Sequence, residues 1–384
     1  MVGVVGGGQL ARMTQTASIE LGVRLRVLAE HADDAAAQVV ADARIGDHRD
    51  PEAVSAFAEG CDVLTFDHEH VPEPLLRELA AAGVAVRPGP DALRHAQDKI
   101  VMRTRLTGLG VPCPRWRVVH SAAELAAFGA DVGWPVVLKT PRGGYDGKGV
   151  LVVPGPGAAG SDAWFDRDPG APLLAEERVP FRRELAALVA RSPSGQAAAW
   201  PVVETVQVDG VCREVVAPAP DLDPDLAVRA TDVALTVAGA LDVVGVLAVE
   251  LFEVQGPPDA DGPRVLVNEL AMRPHNCGHW SIDGAVTSQF EQHLRAVLDL
   301  PLGDPRARQP WSVMVNVLGG RYEDLYRSYL HVMARDPGVK VHLYGKGVRP
   351  GRKVGHVTVS GPDLEDCRAR ARHAADFITG LIDE

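Results

Sequence analysis

Three clusters in this 384-residue chain have the residue types and spacing that phosphate chemistry needs. The first is Lys139-Thr140-Pro141-Arg142-Gly143-Gly144-Tyr145-Asp146-Gly147-Lys148-Gly149-Val150, set between two strand-like runs. It is not a P-loop: Gly143 and the Gly147-Lys148 pair stand one residue too close, and no Ser or Thr follows the lysine. A strand, glycine loop and strand can still fold over a triphosphate, with backbone amides facing the oxygens and lysines neutralising charge. A flexible surface hairpin is the plainer alternative, and the two flanking lysines count against it.

The second cluster is acidic. Val246 to Phe252 is an apolar run interrupted by Glu250, and Val265 to Leu270 is another interrupted by Asn268 and Glu269. Carboxylates on apolar strands are costly unless a partner compensates them. Paired strands would bring the two together, and hard oxygen ligands so placed can hold Mg2+ against ATP phosphates. Half-exposed strands with solvated glutamates are the competing reading. The third cluster is basic: Lys346-Gly347-Val348-Arg349-Pro350-Gly351-Arg352-Lys353 carries four cations in eight residues. In a chain of net charge -12 it is a candidate for phosphate capture, with a solvated basic turn as the alternative.

Other signals point elsewhere or carry less. Gly6, Gly8 and Ala11 fit G-x-G-x-x-A, with Glu30 where a dinucleotide fold would put its ribose-binding acid; alone this suggests a nicotinamide-dependent oxidoreductase. Any tight strand-to-helix turn wants the same glycines. Asp67-His68-Glu69-His70 resembles a metal cluster, but alternate strand residues face opposite ways. Cys277 lies beside His275 and His279, without the surround of a known thiol nucleophile.

Several elements must position these residues. Val2 to Val5, Gln9 to Leu21 and Val23 to Leu28 read as β-α-β, continued by Val63 to Phe66, Pro74 to Ala82 and Val84 to Arg87. A parallel sheet is expected over the first 90 or so residues. Asp91 to Leu109 reads as one helix bearing Arg94, Gln97 and Lys99. Strand-like pieces at 136–139, 149–153, 202–208, 213–217, 244–252 and 264–270 suggest hairpins and mixed sheets, with helices at 225–241 and 288–298. Strands at 313–318, 339–343 and 354–359 and a helix at 364–381 close the chain.

Composition bounds the answer. The acidic balance argues against a nucleic-acid partner, whose backbone calls for clustered Lys and Arg. No apolar run approaches the length of a membrane span. Five widely spaced cysteines, odd in number and without a C-x-x-C pair, suit free thiols in a reducing cytoplasm, and Met1 to Gly8 shows no secretory pattern. A cytoplasmic enzyme is expected.

With these pieces in order, the sequence resembles the 5-(carboxyamino)imidazole ribonucleotide synthase family of the ATP-grasp superfamily. The resemblance runs nearly end to end. It is carried by Gly6-Gly7-Gly8-Gln9-Leu10-Ala11-Arg12-Met13, Gly143 to Gly149, Asn268-Glu269-Leu270-Ala271-Met272-Arg273-Pro274-His275-Asn276-Cys277-Gly278-His279-Trp280, and Arg349-Pro350-Gly351-Arg352-Lys353-Val354-Gly355-His356. The last two are specific to the family within its superfamily. Met272 and Cys277 depart from the proline and serine common there, which puts fine substrate contacts at Cys277 in doubt.

The resemblance implies an α/β and α+β protein in three parts: an N-terminal parallel α/β pre-ATP-grasp domain (1–92), a central ATP-grasp domain (93–305) and a small β-rich C-terminal domain (306–384). It also implies a homodimer. It assigns ATP to Arg94, Lys139, the loop Gly144, Tyr145, Asp146, Gly147, Lys148, Gly149 and Val150, the segment Glu176, Glu177, Arg178 and Val179, then Glu184, Glu204, Asn268 and Glu269. Mg2+ falls to Glu250 and Glu269. The ribotide falls to Gln9, Tyr145, Asp146, Arg273, His275 and Asn276, with Lys346, Arg349, Arg352 and Lys353 on its phosphate.

The implied reaction joins ATP, bicarbonate and 5-aminoimidazole ribonucleotide through carboxyphosphate, with Lys139, Tyr145, Asp146, Arg273, His275 and Asn276 at the chemistry. Asp146 is the candidate for orienting or deprotonating the amine. A ligase acting on a related ribotide is the nearest alternative, and the nicotinamide enzyme a more distant one.

Overall fold

The computed structural model describes residues 1–144, 148–158, 160–256 and 262–383. Among them the strands form three sheets. The first is parallel, in the order Asp42–Ile45, Leu25–Ala29, Val2–Val5, Val63–Phe66, with Val2 opposite both Leu25 and Val63. Val2–Val5 and Val63–Phe66 are buried along their whole length, as strands of a sheet covered on both faces must be. Helix Gln9–Glu20 leaves this sheet at Gly6–Gly8. Gly6 has φ +110, where a side chain would be strained.

Two sequence expectations change here. Val84 to Arg87 makes only an isolated bridge, Leu64 to Val86, while the edge strand Asp42–Ile45 escaped notice because Asp-Ala-Arg-Ile is short and half charged, with a single β-branched residue. The expected helix 91–109 is two helices, Pro90–Gln97 and Lys99–Gly108. Asp98 between them is extended, and its carboxylate accepts from the amides of Ile100 and Val101, capping the second helix.

The second sheet is antiparallel, in the order Trp116–Val119, Leu173–Glu177, Val136–Lys139, Val150–Val153. The third is large and antiparallel: Arg264–Ala271, Gly245–Val254, Arg183–Arg191, Val203–Val208, Val211–Ala217, Trp311–Leu318, Lys353–Gly361, Lys340–Leu343, with Ala197–Ala199 beside Arg183–Arg191. It runs unbroken from the central region into the C-terminal one through the pairing of Val211–Ala217 with Trp311–Leu318. Arg183–Arg191, at its centre, was not anticipated. Its continuous buried run Leu185 to Ala190 has no alternation and reads equally as helix.

Helix Pro224–Ala240 packs on one face of this sheet, and Leu364–Thr379 covers its C-terminal part. No helix among the described residues is long and apolar enough to cross a membrane.

Candidate functional site

The three sheets meet around one cavity of about 930 Å3. Most of the sequence-predicted residues line it: Gln9, Lys139, Gly144, Val150, Glu176, Glu177, Arg178, Val179, Glu184, Glu250, Asn268, Glu269, Arg273, His275, Asn276, Lys346, Arg352 and Lys353. Arg94, Lys148, Gly149, Glu204 and Arg349 do not. Tyr145, Asp146 and Gly147 lie outside the described residues.

Each of these placements has a physical reason. Glu204 is held by Arg183 at 2.9 Å, which also grips Glu253. Gly149 packs on Thr140, whose amide donates to its carbonyl, so it closes the base of the loop. Lys148 and Arg349 are exposed. Arg94 sits one turn before Gln97, and Ala96 and Gln97 face the cavity in its place.

A β-bulge sets the acidic end. In the pairing of Gly245–Val254 with Arg264–Ala271, Glu250 lies opposite Glu269 and Leu251 opposite Val267, so Asn268 is the extra residue. Strict alternation would send Asn268 and Glu269 to opposite faces; the bulge turns both toward the cavity. Glu250 keeps 29% of its side-chain surface open, yet burial, with Glu269 and Glu184 nearby, pushes its carboxyl up to about 8 despite Lys353 and Lys139. Burial pushes Glu184 up to about 7. Of these three carboxylates only Glu269 has a lysine partner among the described residues, Lys99 at 2.9 Å, and the hard oxygen donors of the group fit a divalent cation such as Mg2+.

Lys139 stands beside it, 2.6 Å from Glu176 and 3.4 Å from the Asn268 side-chain oxygen. Glu176 also takes the Nε of fully buried Arg103 at 2.5 Å. Burial alone would raise the Glu176 carboxyl, but Lys139 and Arg103 reverse this and hold it at about 2. Glu176 is therefore a buried post that fixes two cations, and Glu177 is tied to Arg115 at 2.8 Å. Both side chains are already engaged. Lys99, which the sequence reading placed on a helix without a role, pairs with Glu269 at 2.9 Å. The break at Asp98 aims it there, while the Lys99 amide donates to Pro141 and Arg142 pairs with Asp98, tying the helix to the glycine loop.

The other end is basic. Lys346, Arg352 and Lys353 come from the C-terminal segment, and the Lys346 ammonium donates to the Gln9 side chain across the molecule. Arg273 is anchored by Glu69 at 2.8 Å. Between the two ends stands His275. Its Nδ1 accepts from the Cys277 amide at 3.4 Å, which leaves the proton on Nε2, 3.6 Å from Glu250. Burial, with Arg273 and Lys353 nearby, pushes this imidazole down to about 3, so it stays neutral. Asn276 is locked to Asn316 through bonds of 2.9 and 2.7 Å.

The Asp67-His68-Glu69-His70 segment acts through protein contacts. Asp67 accepts from the amides of Gly8 and Ala11 at 2.8 and 2.7 Å. The helix N-terminus where a dinucleotide would rest its pyrophosphate is thus filled by the chain's own carboxylate. That geometry speaks against nicotinamide binding.

Comparison with known proteins follows this division of labour. Residues 1–97 match the ribonucleotide synthetase preATP-grasp domain, 104–290 the ATP-grasp domain, and 312–370 the phosphoribosylaminoimidazole carboxylase C-terminal domain. Fold and site together define an ATP-grasp ligase. N5-carboxyaminoimidazole ribonucleotide synthase of Mycobacterium tuberculosis is 55% identical over 382 residues, covering 99% of this chain and 88% of that protein. The carboxyaminoimidazole ribonucleotide synthase of Aspergillus clavatus complexed with ATP superposes with a TM-score of 0.88 at 34% identity, covering 99% of this chain and 98% of that one. The same enzyme in complex with ADP and 5-aminoimidazole ribonucleotide gives 0.85 at 32%, with the same coverage. The chain belongs to the N5-carboxyaminoimidazole ribonucleotide synthase family.

Proposed function

We propose that this enzyme carboxylates the amine of 5-aminoimidazole ribonucleotide with bicarbonate at the expense of ATP, in purine biosynthesis. One observation carries the reading: a single cavity joins an acidic end, Glu184, Glu250 and Glu269 beside Lys139, to a basic end at Lys346, Arg352 and Lys353. The first suits a metal-nucleotide and the second a phosphorylated acceptor. The names of the relatives point the same way.

Glu250 and Glu269 are the residues to hold Mg2+, which when bound supplies charge neutralisation for the phosphate oxygens. Lys139, steadied by Glu176, faces the transferring group. A bicarbonate oxygen attacks the γ-phosphorus, ADP leaves, and carboxyphosphate remains. The substrate amine then takes the carboxyl carbon and phosphate departs. Neutral His275 and Arg273 orient the acceptor, and Lys346, Arg352 and Lys353 hold its phosphate. The glycine loop closes over the triphosphate and excludes water. Gly144, Tyr145, Asp146, Gly147, Lys148, Gly149 and Val150 belong to that loop.

Domain limits of 1–92, 93–305 and 306–384, a homodimer and a cytoplasmic location complete the reading. The test is ADP release with ATP and bicarbonate, with and without Mg2+ and 5-aminoimidazole ribonucleotide, and with 5-amino-4-imidazolecarboxamide ribonucleotide as decoy. Release that needs the metal and the aminoimidazole is expected. Release stimulated equally by the decoy would refute the acceptor assignment.

A further inference from the structure

Gln289 opens the helix Gln289–Val297, is fully buried, and does not line the cavity. Its side chain nevertheless reaches the loop that does. Oε1 accepts from the His275 amide at 2.8 Å, and Nε2 donates to the His275 carbonyl at 2.8 Å and to His279 Nδ1 at 2.9 Å. The side-chain amide thus pairs with His275 as a neighbouring strand would, and both of its hydrogens are used. The two backbone bonds fix which way the amide faces, because only its oxygen can take an N–H and only its nitrogen can serve a carbonyl. The Gln289 amide donates in turn to Ser281 Oγ at 2.9 Å, so the helix start grips the loop at both ends. A Cβ on Gly278 would stand 2.4 Å from Gln289 Oε1; the glycine is what lets the loop approach.

We infer that Gln289 is a positioning residue: by clamping both backbone groups of His275 it sets where the imidazole stands between Glu250 and the ribotide end. The inference rests on the functional reading above and deepens it. His275 Nε2 is 3.6 Å from Glu250, and Asn276, next in the chain, is held separately by Asn316. Freed from Gln289, His275 loses two backbone bonds while the acidic end, built on other strands, keeps its geometry. Binding of the acceptor suffers, and binding of ATP does not.

The test compares Gln289→Met, which keeps length and removes both polar groups, with Gln289→Glu, which puts an acceptor against the His275 carbonyl and His279 Nδ1. For Gln289→Met the KM for 5-aminoimidazole ribonucleotide rises about 10-fold, the scale of supporting-shell losses, while the KM for ATP stays within about 2-fold. Gln289→Glu is worse at neutral pH and recovers in part as pH falls, because its protonated carboxyl donates again. The titratable groups facing position 289 are His275 and His279 on the loop and His293 one turn along its own helix, bound to Thr65 and the Val246 amide. Gln289→Met shares all three and shows no such recovery. Amide hydrogen exchange over 273–280, measured without substrates, accelerates in both variants. Equal rises in the two KM values, or unchanged exchange over 273–280, overturn the inference. Wild-type enzyme lacking ribotide-dependent ADP release would instead sink the functional reading and leave the exchange result to decide the role of Gln289.

Discussion

Replacing Glu250 by Gln should make the ligand-free protein more stable at neutral and alkaline pH while weakening its hold on Mg2+ and ATP. The folded carboxyl sits at about 8 against an ordinary value of 4.5, because burial and the neighbouring Glu269 and Glu184 oppose its ionisation. The shift is upward for an acid. The fold therefore carries no penalty below the unfolded value, acquires one as pH rises from 4.5, and bears all of it once pH passes 8. At pH 7 the difference comes to about 3 kcal/mol at 1.36 kcal/mol per unit. With 29% of the side chain open to a wet cavity, roughly 1–2 kcal/mol is the fairer expectation. The amide carries no charge, so the substitution removes that penalty. The assay is urea unfolding without nucleotide or metal at pH 5, 7 and 8.5, for wild type and Glu250→Gln, with Mg2+-ATP titrated calorimetrically in parallel. The variant should gain stability over wild type from pH 5 to 8.5 and bind Mg2+-ATP at least 10-fold more weakly. Parallel stability curves across that range would refute the account of the acidic end, and unchanged Mg2+-ATP affinity would remove Glu250 from the metal.

Two further outcomes follow from the geometry. Lys139→Met removes the cation that faces the nucleotide and leaves Glu176 to Arg103 alone; kcat should fall about 10²- to 10³-fold, whereas Glu176→Gln strips buried Arg103 of its counter-ion and should show chiefly as lost stability. Steady-state ADP release and thermal melts separate the two effects, and a variant retaining wild-type kcat would dismiss the lysine. Gly8→Ala places a Cβ 2.1 Å from Asp67 Oδ2, so the carboxylate must leave the amides of Gly8 and Ala11. A loss of about 1–3 kcal/mol in unfolding free energy is expected, and a variant as stable as wild type would show that Asp67 does not cap this helix.

Much of the architecture can be read from residue order. Val63–Phe66 and Val136–Lys139 fall where the apolar runs put them, and helix Leu364–Thr379 ends two residues short of its expected limit, at the left-handed Gly380. Besides Asp42–Ile45, the strands that escaped were Trp116–Val119, Ala197–Ala199, Leu173–Glu177 and Arg183–Arg191. The last two are nearly continuous buried runs, in which burial on both faces erases the period that distinguishes strand from helix.

Local chemistry, by itself, determined the inventory: a glycine loop between lysines, carboxylates on apolar strands, a basic turn in an acidic chain, and end-to-end motifs that mark one family. Such features are legible because each residue type does its work through its own charge, size or backbone freedom. Tertiary structure alone decided their partners. The bulge at Asn268 turned two adjacent residues toward one cavity, the break at Asp98 delivered Lys99 to Glu269, and Gln289 reached back to clamp His275 from a helix no motif had singled out. Glu204, promising in sequence, went to Arg183. These outcomes depend on register, on helix ends and on packing between segments far apart in the chain, and those are set by the whole core rather than by any local run of residues.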